Sequence, residues 1–173
     1  MRGLADALDA IIVQGNDLME SLGQEEFTAA HSVGNGASIG AHYRHSLDHF
    51  RQLFEGLKSG VIDYDARTRD PLLETDLKAA CSATEALMAS ARDLRKFDAE
   101  NPLEVRCGVT YGNEEAGSAS STLGREIMFC ISHAIHHYAL IAILLRSAQS
   151  DVPEGFGVAP STMRYRRQMA GTR

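Results

Sequence analysis

Four prolines, no tryptophan and three cysteines in 173 residues leave this sequence short of most loop and framework markers. Scarce proline fits long uninterrupted helices, because proline removes a backbone donor and clashes with the preceding turn. Cys81, Cys107 and Cys130 are odd in number, far apart and form no Cys-x-x-Cys pair. That argues against a secreted disulfide framework and for a reducing cytoplasm. Positive charge is short as well: 17 Lys and Arg against 23 Asp and Glu give a formal charge of −6. A large basic stripe for nucleic acid is therefore not expected. The N-terminal stretch MRGLADALDAIIVQG carries Asp6 and Asp9, which spoil a signal-peptide core. What is present, 44% hydrophobic and 23% charged residues, suits one globular domain with room for a sizeable core.

One long apolar run stands out. Ile127 to Leu145 is nineteen residues without Asp, Glu, Lys or Arg, near the length of a membrane span. Ser132, His133, His136 and His137 fall in its middle, and imidazoles are more easily placed at a protein site than in lipid. The run reads as a buried helix, and no membrane partner is expected.

Periodicity predicts four helical stretches. The first runs from about Leu4 to Leu22, with Leu4, Leu8, Ile11, Ile12, Leu18 and Met19 mostly three or four apart. A glycine-rich break over His31 to Ala37 precedes Ser38, an N-cap for a second helix reaching about Leu57. The polar stretch Val61 to Glu74 reads as a crossover over one end of a bundle. Thr75 or Asp76 caps a third helix to about Phe97, and Ser121 or Thr122 starts a fourth to about Ser147. Between these last two, Leu103 to Tyr111 alternates like a strand. Gly112-Asn113 then reads as a turn, giving a small hairpin that returns through Glu115 to Ser120. The expectation is an all-α chain, a four-helix bundle over residues 1–150 with a long crossover and a small hairpin before the last helix. Residues 151–173, irregular and then basic, form a C-terminal tail.

Six of the seven histidines fall in two clusters, His42, His45 and His49 on the second helix and His133, His136 and His137 on the fourth. At about 100° per residue, His42 and His49 nearly share an azimuth and His45 lies about 60° away, so all three line one stripe. His133 and His137 are one turn apart on one face, whereas His136 points elsewhere. Such a pair can offer two ring nitrogens to one metal ion, and an imidazole from the facing helix completes a site with open positions. Cys130, about 60° around the helix from His133, reads as a buried hydrophobe. Glu126 and Asp48 are candidate acceptors for an imidazole N–H, and Met88 is core filler. No Glu-x-x-His motif accompanies the clusters, which argues against a di-iron bundle.

The stretches SIGAHYRHSLDHF and SHAIHHYALI resemble the histidine motifs of the DinB/YfiT-like metalloprotein superfamily. The resemblance covers about residues 1–150 and implies an up-down-down-up four-helix bundle. It also implies a metal site made by His133, His137 and one histidine of the second helix. His45 stands at the position that family usually uses, with His49 the runner-up and His42 third. After the pair, His137-Tyr138-Ala139-Leu140-Ile141 stands where many members have His-Arg-Gly-Gln-Ile.

What the resemblance implies is a divalent-metal protein, with Zn(II) or Ni(II) suited to imidazole. It further implies transfer of a low-molecular-weight thiol to a small electrophile, or metal-assisted hydrolysis at the same site. A non-enzymatic stress or sensor protein is the other expectation. The apolar surplus on the first helix (Leu4, Leu8, Ile11, Ile12, Val13) and in the Ala139–Leu145 block predicts a homodimer.

Overall fold

The computed structural model describes residues 1–112 and 117–171. In chain order its helices are α1 (Arg2–Ser21), α2 (Gln24–Thr28), α3 (Ile39–Ser59), α4 (Leu72–Thr75), α5 (Leu77–Asp93), α6 (Leu123–Ser147) and α7 (Pro160–Ala170). Its strands are β1 (Val61–Asp63), β2 (Pro102–Cys107) and β3 (Gly117–Thr122).

Local chemistry sets the starts of three long helices. Ser38 Oγ accepts from the Ala41 N–H at 3.0 Å, Asp76 Oδ1 from Ala79 at 3.0 Å and Thr122 Oγ1 from Arg125 at 3.4 Å. Each satisfies one backbone donor that the first turn leaves without a partner. At its other end α3 stops at Gly60, whose φ of 78° is left-handed and cheap only for glycine.

Packing brings α1 against α5 and α6, and α3 against α6 and α5. Leu8, Ile12, Tyr43, Leu47, Phe50, Ile127, Tyr138 and Ile141 are fully buried between them. α1 approaches α6 closely at Gly15, where a Cβ would collide with the Tyr138 hydroxyl. That hydroxyl donates to the Ile11 carbonyl at 3.1 Å.

The chain is mostly helical but not all-α. Val61 to Asp63, expected to be polar crossover, form β1, parallel to β2 with Ile62 opposite Val105. The left-handed turn at Gly60 swings the chain off α3, and Ile62 is fully buried there. β3 runs antiparallel on the other side of β2, with Leu103 opposite Ser121, so the expected hairpin is part of a mixed three-stranded sheet. β2 ends at Cys107, because Val109 and Tyr111 continue the alternation but are exposed. Asn113 and Glu115 of the expected turn and return lie outside the described residues. The third long helix ends at Asp93, followed by a single 3₁₀ turn over Leu94–Lys96.

Among the described residues, α6 is the one helix long and apolar enough to cross a membrane by length and composition. It packs along α3 and α1 within the chain. Of its Ala139–Leu145 block, Ile141, Ala142, Leu144 and Leu145 are buried and Ile143 is exposed. The tail packs at the start of that block: Phe156 is buried and stacks on Tyr138, with ring centroids 4.8 Å apart, and Gly157 lies against the Ala139 backbone. α7 beyond it has no buried residue.

Candidate metal centre

The face of α3 that meets α6 carries three imidazoles, and α6 returns two. His45 Nε2 lies 3.1 Å from His133 Nε2, and His42 Nδ1 lies 3.2 Å from His137 Nδ1. The His49 ring stacks on His133 at 3.9 Å between centroids. His137 stands 4.5 Å from His45 and 4.6 Å from His133, ring to ring. His136 is exposed, as its rotation from the His133–His137 face predicts.

Burial and mutual repulsion hold these rings neutral. The His45 pKa is pushed down to about 2, first by burial and then by His137, His49, Arg67 and His133. His137 falls to about 3 through burial, His133 and His42, and His133 to about 4 through burial, His49 and His136. His42 and His49 are lowered too, again chiefly by burial. Neutral imidazole is the form that ligates a metal.

His45, His49 and His133 present ligand atoms within 4.8 Å of one another, a group that could hold a metal ion. His49 fits that role in detail. Its Nδ1–H donates to the His45 carbonyl at 3.0 Å, leaving the Nε2 lone pair for an ion. Metal-ligating histidines are oriented by this kind of second bond. The rings expected from the resemblance (His45, His133, His137) lie 4.5–5.0 Å apart, centroid to centroid. The ligand atoms that gather, however, are those of His45, His49 and His133, so His49, expected as the alternative to His45, stands beside it and not in its place. Arg67 is the discordant neighbour: its Nη1 donates to His45 Nδ1 at 2.7 Å.

Beside the histidines opens a cavity of about 250 Å³ lined by His49, Tyr64, Arg67, Arg125, Glu126 and Phe129, among others. Tyr64 stacks on His49 at 5.3 Å and donates to Glu126 Oε2 at 2.8 Å. Ser121 donates to the other oxygen of that carboxylate at 2.5 Å. Burial, Cys130 and Glu126 push the Tyr64 phenol far up, so it stays a donor. The Phe129 ring stacks beside His133 at 5.7 Å. A larger groove of about 490 Å³ lies between α3 and α5, lined by Arg51, Phe54, Leu87 and Phe97, and contains no histidine. Of the two, the smaller cavity is the one that reaches the histidine cluster, through His49.

Sequence reasoning left Tyr64, Arg67, Arg125 and Phe129 unmarked. Tyr64 and Arg67 sit on the polar crossover, and their only sequence signal is the density of charge around them. Asp48, expected as an acceptor for an imidazole N–H, instead pairs its carboxylate with Arg44 at 3.0 Å, and Arg44 also grips Glu74 at 3.0 Å. Glu126, buried to 4% exposure, holds the Tyr64 and Ser121 hydroxyls. Cys130 is fully buried, its thiol pushed up to about 12 by burial, and behaves as core.

No family model matches the sequence, and no solved structure matches it. Over 105 residues the chain is 31% identical to FK506-binding protein 5 of Rhizopus delemar. That alignment covers 61% of this chain and 27% of the fungal protein. The chain therefore spans about a quarter of that relative's length, and its likeness is to one part of a longer protein.

Proposed function

We propose that the chain is a divalent-metal protein of the DinB/YfiT-like kind, with α1, α3, α5 and α6 as an up-down-down-up four-helix bundle. Its ion, Zn(II) or Ni(II), sits on His45, His133 and a third imidazole. Ligand spacing supports His49 as the third, and the resemblance supports His137. The reaction assigned is cytoplasmic transfer of a low-molecular-weight thiol to a small electrophile. One observation carries the reading: neutral imidazoles from two helices converge beside an open cavity, and one of them, His49, forms part of its wall. Catalytic metal sites keep such an opening, whereas structural ones are closed. The ion, when bound, supplies a thiolate at neutral pH. The chain's own residues do the rest. Tyr64 and Phe129 flank the imidazoles and screen them from bulk water, and Glu126 fixes the Tyr64 hydroxyl.

A non-enzymatic stress or sensor protein is the second reading. Its support is the surplus of imidazoles, since His137 stands 4.5 Å from His45, ring to ring, and His42 in turn lies against His137. A hydrolase would use the open site with water in place of thiol. We also propose a homodimer, supported by Met128 and Ile143, which are 58% and 47% exposed on α6. The ligand in the Rhizopus protein's name is no part of this reading, because the alignment spans only 27% of that protein.

The test is metal analysis of protein purified without a histidine tag, followed by titration of thiols into the Co(II)-substituted form. A stoichiometric ion and a thiol-dependent shift of the visible spectrum are expected. Protein that carries no metal and takes up no Co(II) overturns the metal reading. A Co(II) spectrum that no thiol moves favours the sensor.

A further inference from the structure

The cavity beside the histidines has more donors than acceptors to spare. Of its two carboxylates, Glu126 is already supplied on both oxygens, whereas the exposed Asp65 accepts one bond and also acts on Arg67 electrostatically. Glu126 accepts from Tyr64 and Ser121, and Asp65 accepts from the backbone N–H of Gly108. Its guanidiniums are less well served. Arg125, 61% exposed, stands 3.8 Å from Glu126 and otherwise lies over the Phe129 ring at 5.7 Å. Arg67 donates to His45 Nδ1, yet its Nε is shielded from solvent and has no hydrogen-bond partner among the described residues. Asp48, close enough to act on Arg67 electrostatically, is engaged by Arg44. A buried donor without an acceptor costs free energy until something supplies one. A guanidinium offers its N–H groups in a planar fork that matches a carboxylate. Val105 and Phe129 give the same cavity an apolar wall.

We propose that this cavity binds a small organic carboxylate, the carboxylate on Arg67 with Arg125 on the more exposed side, and the carbon skeleton against Phe129 and Val105. The assignment deepens the thiol-transfer reading and rests on it only for what the carboxylate does there. Either the thiol or the electrophile can bring it.

Calorimetric titration of the protein with phenylacetate and with its neutral isostere phenylacetamide tests the site. Phenylacetate should bind at least about tenfold more tightly, the scale of one charge-assisted contact. Arg67→Met should remove that preference and Arg125→Met should reduce it. Equal binding of acid and amide to the unaltered protein overturns the proposal, whether or not the variants fold. So does a folded Arg67→Met protein that keeps the full preference. The source of the carboxylate is read on Co(II)-loaded protein with 3-mercaptopropionate and 2-mercaptoethanol. If the thiol brings it, 3-mercaptopropionate shifts the spectrum at a lower concentration and displaces phenylacetate. If the electrophile brings it, the two thiols act alike and phenylacetate still binds beside them. Both outcomes uphold the carboxylate site. Failure to bind Co(II) would sink the metal reading and leave the comparison of acid with amide intact.

Discussion

Arg67 Nη1 stands 2.7 Å from His45 Nδ1, a group that can only donate set against a ring nitrogen. The pairing makes Nδ1 the acceptor and puts the neutral ring's proton on Nε2, toward His133. A histidine that ligates through Nε2 wants the reverse, an acceptor facing an Nδ1–H. Arg67 also brings a positive charge to a place where a cation would sit. Arg67→Met is therefore expected to tighten Co(II) binding at least about tenfold, since like charges a few ångströms apart cost more than that in a partly buried site. Competition titration against a chromophoric chelator measures it. Unchanged or weaker binding would show that Arg67 does not oppose the ion.

His133 belongs to both ligand trios, and it ties α6 to α3. An ion held there binds the native chain and not the unfolded one, so it stabilises the fold. Chelator should lower the melting temperature of metal-loaded protein, and His133→Ala should melt lower with no further response to chelator. His136→Ala, altered at an exposed ring, should keep the full response. A chelator shift of equal size in His133→Ala and the unaltered protein would refute the assignment.

The imidazoles also fix how metal-free protein responds to acid. Their folded pKa values lie below the ordinary value, so the unfolded chain takes up protons first as the pH falls. Their contribution is complete above about 6.5, the unfolded value. It is lost as the pH falls through about 4 for His133, about 3 for His137 and about 2 for His45. Melting temperature followed by circular dichroism should fall steadily from pH 7 to 4. The double variant His45→Gln/His137→Gln should show a shallower fall, and an unchanged slope would contradict the linkage.

Gly15 and Gly3 make a matched pair on α1. A Cβ at Gly15 meets the Tyr138 hydroxyl, with the ring Cζ at 2.7 Å and Tyr43 Cε2 at 3.0 Å, whereas nothing lies within 4 Å of one at Gly3. Gly15→Ala should cost about 1–3 kcal/mol in urea denaturation, the usual cost of overpacking. Gly3→Ala should be neutral or stabilise by up to about 1 kcal/mol, because it restricts the unfolded chain. Equal stabilities for the two variants would mean that α1 and α6 do not need the close approach.

What the sequence disclosed was what is decided locally. Ser38, Asp76 and Thr122 mark helix starts because a cap needs only its own first turn. The histidine stripes were legible because helical azimuth follows from spacing. Azimuth does not say how far each ring reaches across the gap, so weighing His45 against His49 as the partner of His133 and His137 did not show that both would gather with His133. β1 was hidden because its pairing partner, β2, lies some forty residues on and only Ile62 of its three residues is buried. Asp48 is three residues from His45 and four from Arg44, and the guanidinium won it. Tyr64 and Arg67 were hidden because a crossover's composition does not say which part of the bundle it will cover.

The contact between His45 and His133 joins positions 88 residues apart. During synthesis α3 emerges long before α6, so His45 and His49, one helical turn apart, are presented while their partners are still being made. Two imidazoles at that spacing can already take an ion weakly. An ion captured then would wait on α3 and gain its remaining ligand when α6 docks, which makes the docking of α6 the step that completes the site. Chains supplied with metal during translation should reach the packed state sooner than chains supplied with it afterwards.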